Sequence, residues 1–143
     1  MAKTTHTEVF NCSVQEFYDL VSDYEKYPEF INEVKAVEIL KNEDGTKLVK
    51  YDVSVIKTIS YVLETRETPP SEIHWDFTKG DIFKTMSGSW ILEDEAGKCR
   101  AQYTVDATFG VFVPGPITKT LQTVNLRSMM SAFHKRIQEV YGG

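Results

Sequence analysis

A chain of 143 residues with a hydrophobic fraction of 41% is the size of one ordinary domain, residues 1–143, large enough to bury a single core and too small for a comfortable second one. Its formal net charge of −5 argues against a general nucleic-acid binder, which needs clustered cations to displace counterions from phosphates. No apolar run is long enough to cross a bilayer, and residues 1–10, with Lys3, His6 and Glu8, lack the apolar stretch of a signal peptide, so the expected location is the cytoplasm. Cys12 and Cys99 stand apart from each other and from any Cys/His cluster, which gives neither a disulfide framework nor a metal-ligand spacing.

The first strand is expected over Thr4–Phe10. Ser13 and Glu16 then have the spacing of a helix capping box, and Val14, Phe17, Tyr18 and Val21 fall on one helical face. Pro28 disfavours helical geometry at Tyr27, so the helix breaks and restarts, leaving Tyr24, Tyr27 and Phe30 to pack beneath whatever follows. From there the chain alternates at period two, the pattern of antiparallel strands with one wet and one dry face. Strands are expected over Val34–Leu40, Lys47–Ile56, Ile59–Glu67, Glu72–Lys79, Ile82–Leu92 and Cys99–Phe109. Hairpin chemistry lies in 42–45 and 93–97, and Pro69-Pro70 and Gly80 stop strands. Seven antiparallel strands with short connections curl, and something must cover the concave apolar face.

The cover is the last helix. Ile117, Leu121 and Val124 make one apolar row, which Leu126, Met130, Phe133, Ile137 and Val140 continue at spacings of three and four. A helix of about 25 residues is roughly 37 Å long, enough to cross the sheet. Pro114-Gly115-Pro116 enters it, as punctuation or as the hinge of a moving lid. Within 114–143, Lys119, Arg127, Lys135 and Arg136 are opposed only by Glu139, so a transient contact with an anionic membrane surface through this basic helix is one expectation. The fold class is α+β: a curved seven-stranded antiparallel sheet around a long C-terminal helix, with two short helices after the first strand.

The dry strand faces are rich in Tyr and Trp, which bring apolar area together with an OH or NH that needs a partner when buried. A solid core is more often Leu, Ile and Val, so these faces suggest a cavity with several polar points. The candidate wall takes Tyr51 and Val53, Tyr61 and Leu63, Trp75 and Phe77, and Met86 and Trp90 from successive strands. Tyr103, Val105 and Phe109 come from the last strand, and Leu121, Val124, Met130 and Phe133 from the helix. Gly88 leaves space beside Trp90, so Trp90→Ala is expected to change ligand affinity more than stability. Catalytic residues do not assemble: His6, His74 and His134 are far apart in sequence, each reading as a lone histidine, and Asp52, Glu64, Arg66, Asp76 and Asp106 read as outward charges. No cofactor or metal motif is present.

The residues Asp23, Tyr27, Pro28 and Phe30 resemble the D-x-x-x-Y-P-x-F signature of the polyketide cyclase/dehydrase and coenzyme Q-binding branch of the START-like superfamily. Gly88 and Trp90 resemble its G-x-W strand, and Met129 to Phe133 with Arg136 resemble the core of its last helix. Ile31-Asn32-Glu33-Val34 stands where quinone-binding relatives commonly carry a Pro-Trp-Cys-like segment. The resemblance implies a helix-grip fold enclosing a small hydrophobic molecule such as a lipid, a quinone or a polyketide-like compound. Two other functions are implied: an aromatase/cyclase or dehydratase in which Tyr51, Tyr61 or Tyr103 hydrogen-bonds an enolate, and a module that binds ribosomes or another protein partner.

Overall fold

The computed structural model describes residues 2–54, 58–110 and 115–142, and the side chains of residues 2 and 115–125 lie outside the description. The last two residues of the strand expected over Lys47–Ile56, the Pro114-Gly115-Pro116 entry and the inward placing of Ile117, Leu121 and Val124 therefore fall outside the described residues, apart from the helical backbone from 115 onward.

The chain runs β1 (Ala2–Phe10), α1 (Val14–Val21), a 3-10 helix (Tyr24–Glu29), β2 (Val34–Glu43), β3 (Thr46–Ser54), β4 (Thr58–Thr68), β5 (Glu72–Gly80), β6 (Phe83–Glu95), β7 (Lys98–Phe109) and α2 (Gly115–Tyr141). The strands form one antiparallel sheet in the order β1-β7-β6-β5-β4-β3-β2, a meander in which the first strand returns to pair with the last. Two hairpins close on Asp44-Gly45 and Ala96-Gly97, each pair with φ positive at both residues, as a right-twisted two-residue turn requires.

The two short helices follow from local chemistry. Ser13 accepts from the Glu16 N–H at 3.0 Å while Glu16 accepts from the Ser13 N–H at 2.9 Å, which pairs two donors that a helix start leaves over. Pro28 lies within the 3-10 helix, and the Tyr27 hydroxyl donates to the Val21 carbonyl, folding the second helix back onto the first.

The C-terminal half of α2 lies across the sheet with Met130, Phe133 and Ile137 buried. Its polar face is tied at several points. His134 meets Glu8 of β1 at 2.5 Å, Arg136 donates to Glu29 at 2.8 Å and sits over the Phe30 ring, and the Tyr141 hydroxyl donates to the Glu16 carbonyl at 3.1 Å. Arg136 is thus partnered, which lessens the free cationic charge that the sequence gives this helix.

Candidate functional site

The core divides into two clusters. One joins α1, α2 and the β1–β7–β6 side of the sheet, where Phe10 and Phe17 stack at 4.4 Å, Phe17 and Phe133 meet Trp90 edge-on at 5.3 and 5.7 Å, and Phe17 and Phe133 lie tilted at 5.6 Å. The other lies under the 3-10 helix, where Tyr51 stacks on Tyr61 at 5.4 Å and Tyr61 meets Phe83 at 5.3 Å. Phe83 is aimed inward by the β5–β6 turn, where Ile82 takes a left-handed φ of 56° and accepts from the Gly110 N–H at 2.8 Å.

Between the clusters lies a cavity of about 220 Å³. Of the residues singled out from sequence, Tyr51 and Val53 of β3, Tyr61 and Leu63 of β4 and Trp75 of β5 border it. So do Met86 and Trp90 of β6, Tyr103, Val105 and Phe109 of β7, and Phe133 of α2. Phe77 does not border it and packs on Phe83 at 6.2 Å, while Met130 is buried in the first cluster. Trp90 is both wall and packing. It is only 4% exposed and touches Phe17, Tyr103 and Phe133, so its removal must also cost stability. The expected space beside Gly88 is filled by Trp75, its cross-strand partner, because a Cβ at 88 would stand 2.5 Å from the indole.

Several wall residues were not read from the sequence. Tyr24, Tyr27, Thr65 and Met129 border the cavity, as do Thr4 and Glu33. For Thr65 the signal was available: the inward alternation of Tyr61 and Leu63 carries on to Thr65 and Glu67. Glu67 forms a largely buried ion pair with Lys47 at 3.1 Å and accepts from the Tyr24 hydroxyl at 2.7 Å. This polar corner adjoins the cavity on the β3–β4 side.

The cavity phenols are held neutral. Burial, the largest cause, pushes Tyr24, Tyr27, Tyr51 and Tyr61 far above the ordinary value of 10, and Tyr103 up to about 12. Tyr27, Tyr61 and Tyr103 are only half-buried by surface area because part of that surface faces the hollow rather than bulk water. Such hydroxyls donate hydrogen bonds; they are not poised to accept a proton as bases near neutral pH.

One constellation escaped the sequence. His6 and His134, read there as lone residues, both meet Glu8, at 2.6 and 2.5 Å, because β1 carries His6, Glu8 and Phe10 on the face turned to α2. The cluster does not border the cavity and is open to solvent, so it acts as a clasp between strand and helix. His74 points outward and pairs with Glu72 at 2.8 Å, and Arg66 bridges Asp76 at 2.7 Å and Glu64 at 3.4 Å on the wet face, as the alternation requires.

A family model described as polyketide cyclase/dehydrase and lipid transport matches residues 11–134. The chain belongs to that family. Among curated proteins, it is 30% identical over 132 residues to the ribosome association toxin RatA of Pseudomonas aeruginosa, covering 87% of this chain and 88% of that one. The Escherichia coli protein of the same name is 29% identical over 150 residues, covering 99% and 90%. Among solved structures, a START superfamily protein from Mycobacterium smegmatis superposes with a TM-score of 0.85 at 20% identity over 98% of this chain and 99% of that one. The aromatase/cyclase Zhui from a Streptomyces species gives 0.84 at 16% identity over 99% and 98%. The helix-grip fold of the START superfamily is thereby shown. Among the described residues no helix is long and apolar enough to cross a membrane.

Proposed function

We propose that this protein binds a small hydrophobic molecule between the sheet and α2. The observation that carries this reading is the cavity itself: about 220 Å³ bordered by aromatic rings, at a place where close packing is the rule for protein interiors. Burying apolar ligand surface there gains roughly 25 cal/mol per Å², opposed by the cost of ordering the ligand. The neutral phenols, and a single bordering carboxylate, Glu33, that is engaged by Ser128 on the exposed side, favour binding over turnover. Native mass spectrometry of protein purified without detergent, followed by organic extraction, tests it. A stoichiometric small apolar molecule is expected; no adduct, together with no saturable binding across a lipid and aromatic panel, overturns the reading.

A second reading rests on sequence similarity rather than geometry. Relatives at about 30% identity over nearly the whole chain are named ribosome association toxins, and we infer that a ribosomal surface is a candidate partner for this chain. The net charge that spoke against nucleic acid does not decide the matter, because whole-chain charge does not fix the charge of one face. Co-sedimentation with ribosomal particles that weakens as salt rises supports this reading, and migration only as a small free protein contradicts it.

A further inference from the structure

Three described buried polar atoms have no hydrogen-bond partner among the described residues: Tyr18 Oη, Thr65 Oγ1 and Arg136 Nε. Only Thr65 belongs to the cavity wall. It is 2% exposed, so its hydroxyl is covered in this structure and meets a ligand only when the Thr65 side chain turns or a neighbouring ring shifts; it lies mid-strand in β4, between Lys47 on one side and Trp75 on the other in register. A buried hydroxyl left unpaired is costly, and native interiors rarely leave one so.

The surroundings define what could pair with it. Lys47, Glu67 and the Tyr24 hydroxyl satisfy one another at 2.7–3.1 Å, so the charges of the adjoining corner are spoken for. Among the described residues the only charged side chain bordering the cavity is Glu33, which accepts from Ser128 at 3.3 Å on the exposed side. An anionic ligand would enter this hollow without a counter-charge, and a cationic one would find only Glu33 on the exposed side, so either charge would carry a high desolvation cost in the interior. Trp75 beside Thr65, with Tyr103 5.8 Å from it, offers flat π faces.

We infer that Thr65 is the hydrogen-bonding anchor of the site, and that the ligand is a compact, neutral, ring-bearing molecule whose oxygen function, a hydroxyl or carbonyl, is placed at Thr65 with its rings against Trp75. The inference rests on the binding reading above and adds ligand polarity, charge and orientation to it.

The test uses two probes of nearly equal shape, 2-naphthol and naphthalene, in equilibrium dialysis against the full chain. In the wild type both bind. Thr65→Val, which exchanges the hydroxyl for a methyl, should weaken 2-naphthol about tenfold while changing naphthalene by less than about twofold, the scale of one hydrogen bond. Thr65→Ser, which keeps the hydroxyl, should restore the preference. Thr65→Ala loses the γ-methyl as well as the hydroxyl, so its matched comparison is Thr65→Ser, and against that variant it should show the same selective loss. Equal weakening of both probes assigns Thr65 to packing, and unchanged 2-naphthol affinity in Thr65→Val and Thr65→Ala removes it from the site; either result overturns the anchor while leaving the cavity as a binding site. Failure of both probes to bind the wild type overturns the binding reading and the anchor with it.

Discussion

Around Phe10 and Phe17 the interior is closed: Phe10, Phe17, Cys99 and Ala101 have no exposed surface, and rings stack or meet edge-on without a gap. Around Tyr51 and Tyr61 it is open, although rings are as plentiful there. The difference lies in what surrounds the rings. On the closed side α1 and the C-terminal half of α2 bring Phe17, Phe133 and Ile137 down between β1, β6 and β7. On the open side the described cover includes the thinner 3-10 helix, whose Tyr27 meets Tyr24 at 5.9 Å and Tyr51 at 6.4 Å. Phenylalanine occupies the tightest positions of the closed side, whereas the tyrosines Tyr24, Tyr51, Tyr61 and Tyr103 surround the hollow. Close packing supplies stability in one region, and its omission makes room in the other.

The largest effect expected from this contrast comes from truncating rings on the two sides. Phe17→Ala should cost about 3–5 kcal/mol, whereas Phe109→Ala, whose ring already borders the hollow, should cost less than about half as much. Thermal or urea unfolding of the two variants measures it, and equal losses would mean that the hollow is as well packed as the rest.

A pair on one strand sharpens the comparison. Ala101 and Ala107 both face inward from β7, but Ala101 is sealed in the closed cluster and Ala107 lies in the cavity wall. Ala101→Leu should destabilise by about 1–3 kcal/mol through overpacking, while Ala107→Leu should be near neutral because its methylenes enter empty space. The same Ala107→Leu variant should lose probe binding.

The smallest effect concerns the clasp on the closed side. Burial raises the Glu8 pKa, but hydrogen bonds from His134 and His6 outweigh it and hold the carboxyl below its usual 4.5. A lowered folded value means that the stabilisation is present above the unfolded pKa and is lost as pH falls through the folded one. Glu8→Gln should therefore lower stability at neutral pH by at most about 1 kcal/mol, given solvent screening. The gap to wild type should close at acid pH in melts followed across the acid range. Probe affinity should not change, since Glu8 does not border the hollow.

Much of this was legible in the sequence. Period-two alternation gave all seven strands to within a few residues, and the Ser13/Glu16 spacing and Pro28 gave the two short helices. Most of the wall followed from which strand face is dry. Position along a strand face could not say whether an inward ring packs or borders a void: Phe77 and Phe109 look alike in sequence, yet only Phe109 reaches the cavity. Contacts between distant segments were also hidden. Glu8 joins His6 to His134, and Lys47 joins Glu67, only once the sheet order is known. Thr65 is a further case, for the alternation places it inward but only three-dimensional packing reveals that its hydroxyl has no partner.

The central claim is that the interior between β3–β7 and α2 is a hollow that admits an apolar guest. The chain has two tryptophans, Trp75 and Trp90, and both border the cavity. Their two indole N–H resonances in a ¹H–¹⁵N spectrum report on it directly as naphthalene is added. The account predicts that both shift and saturate together in the wild type and that neither moves in a folded Ala107→Leu protein. Indole resonances that stay fixed in the wild type at the solubility limit of naphthalene, or that shift equally in Ala107→Leu, would contradict it.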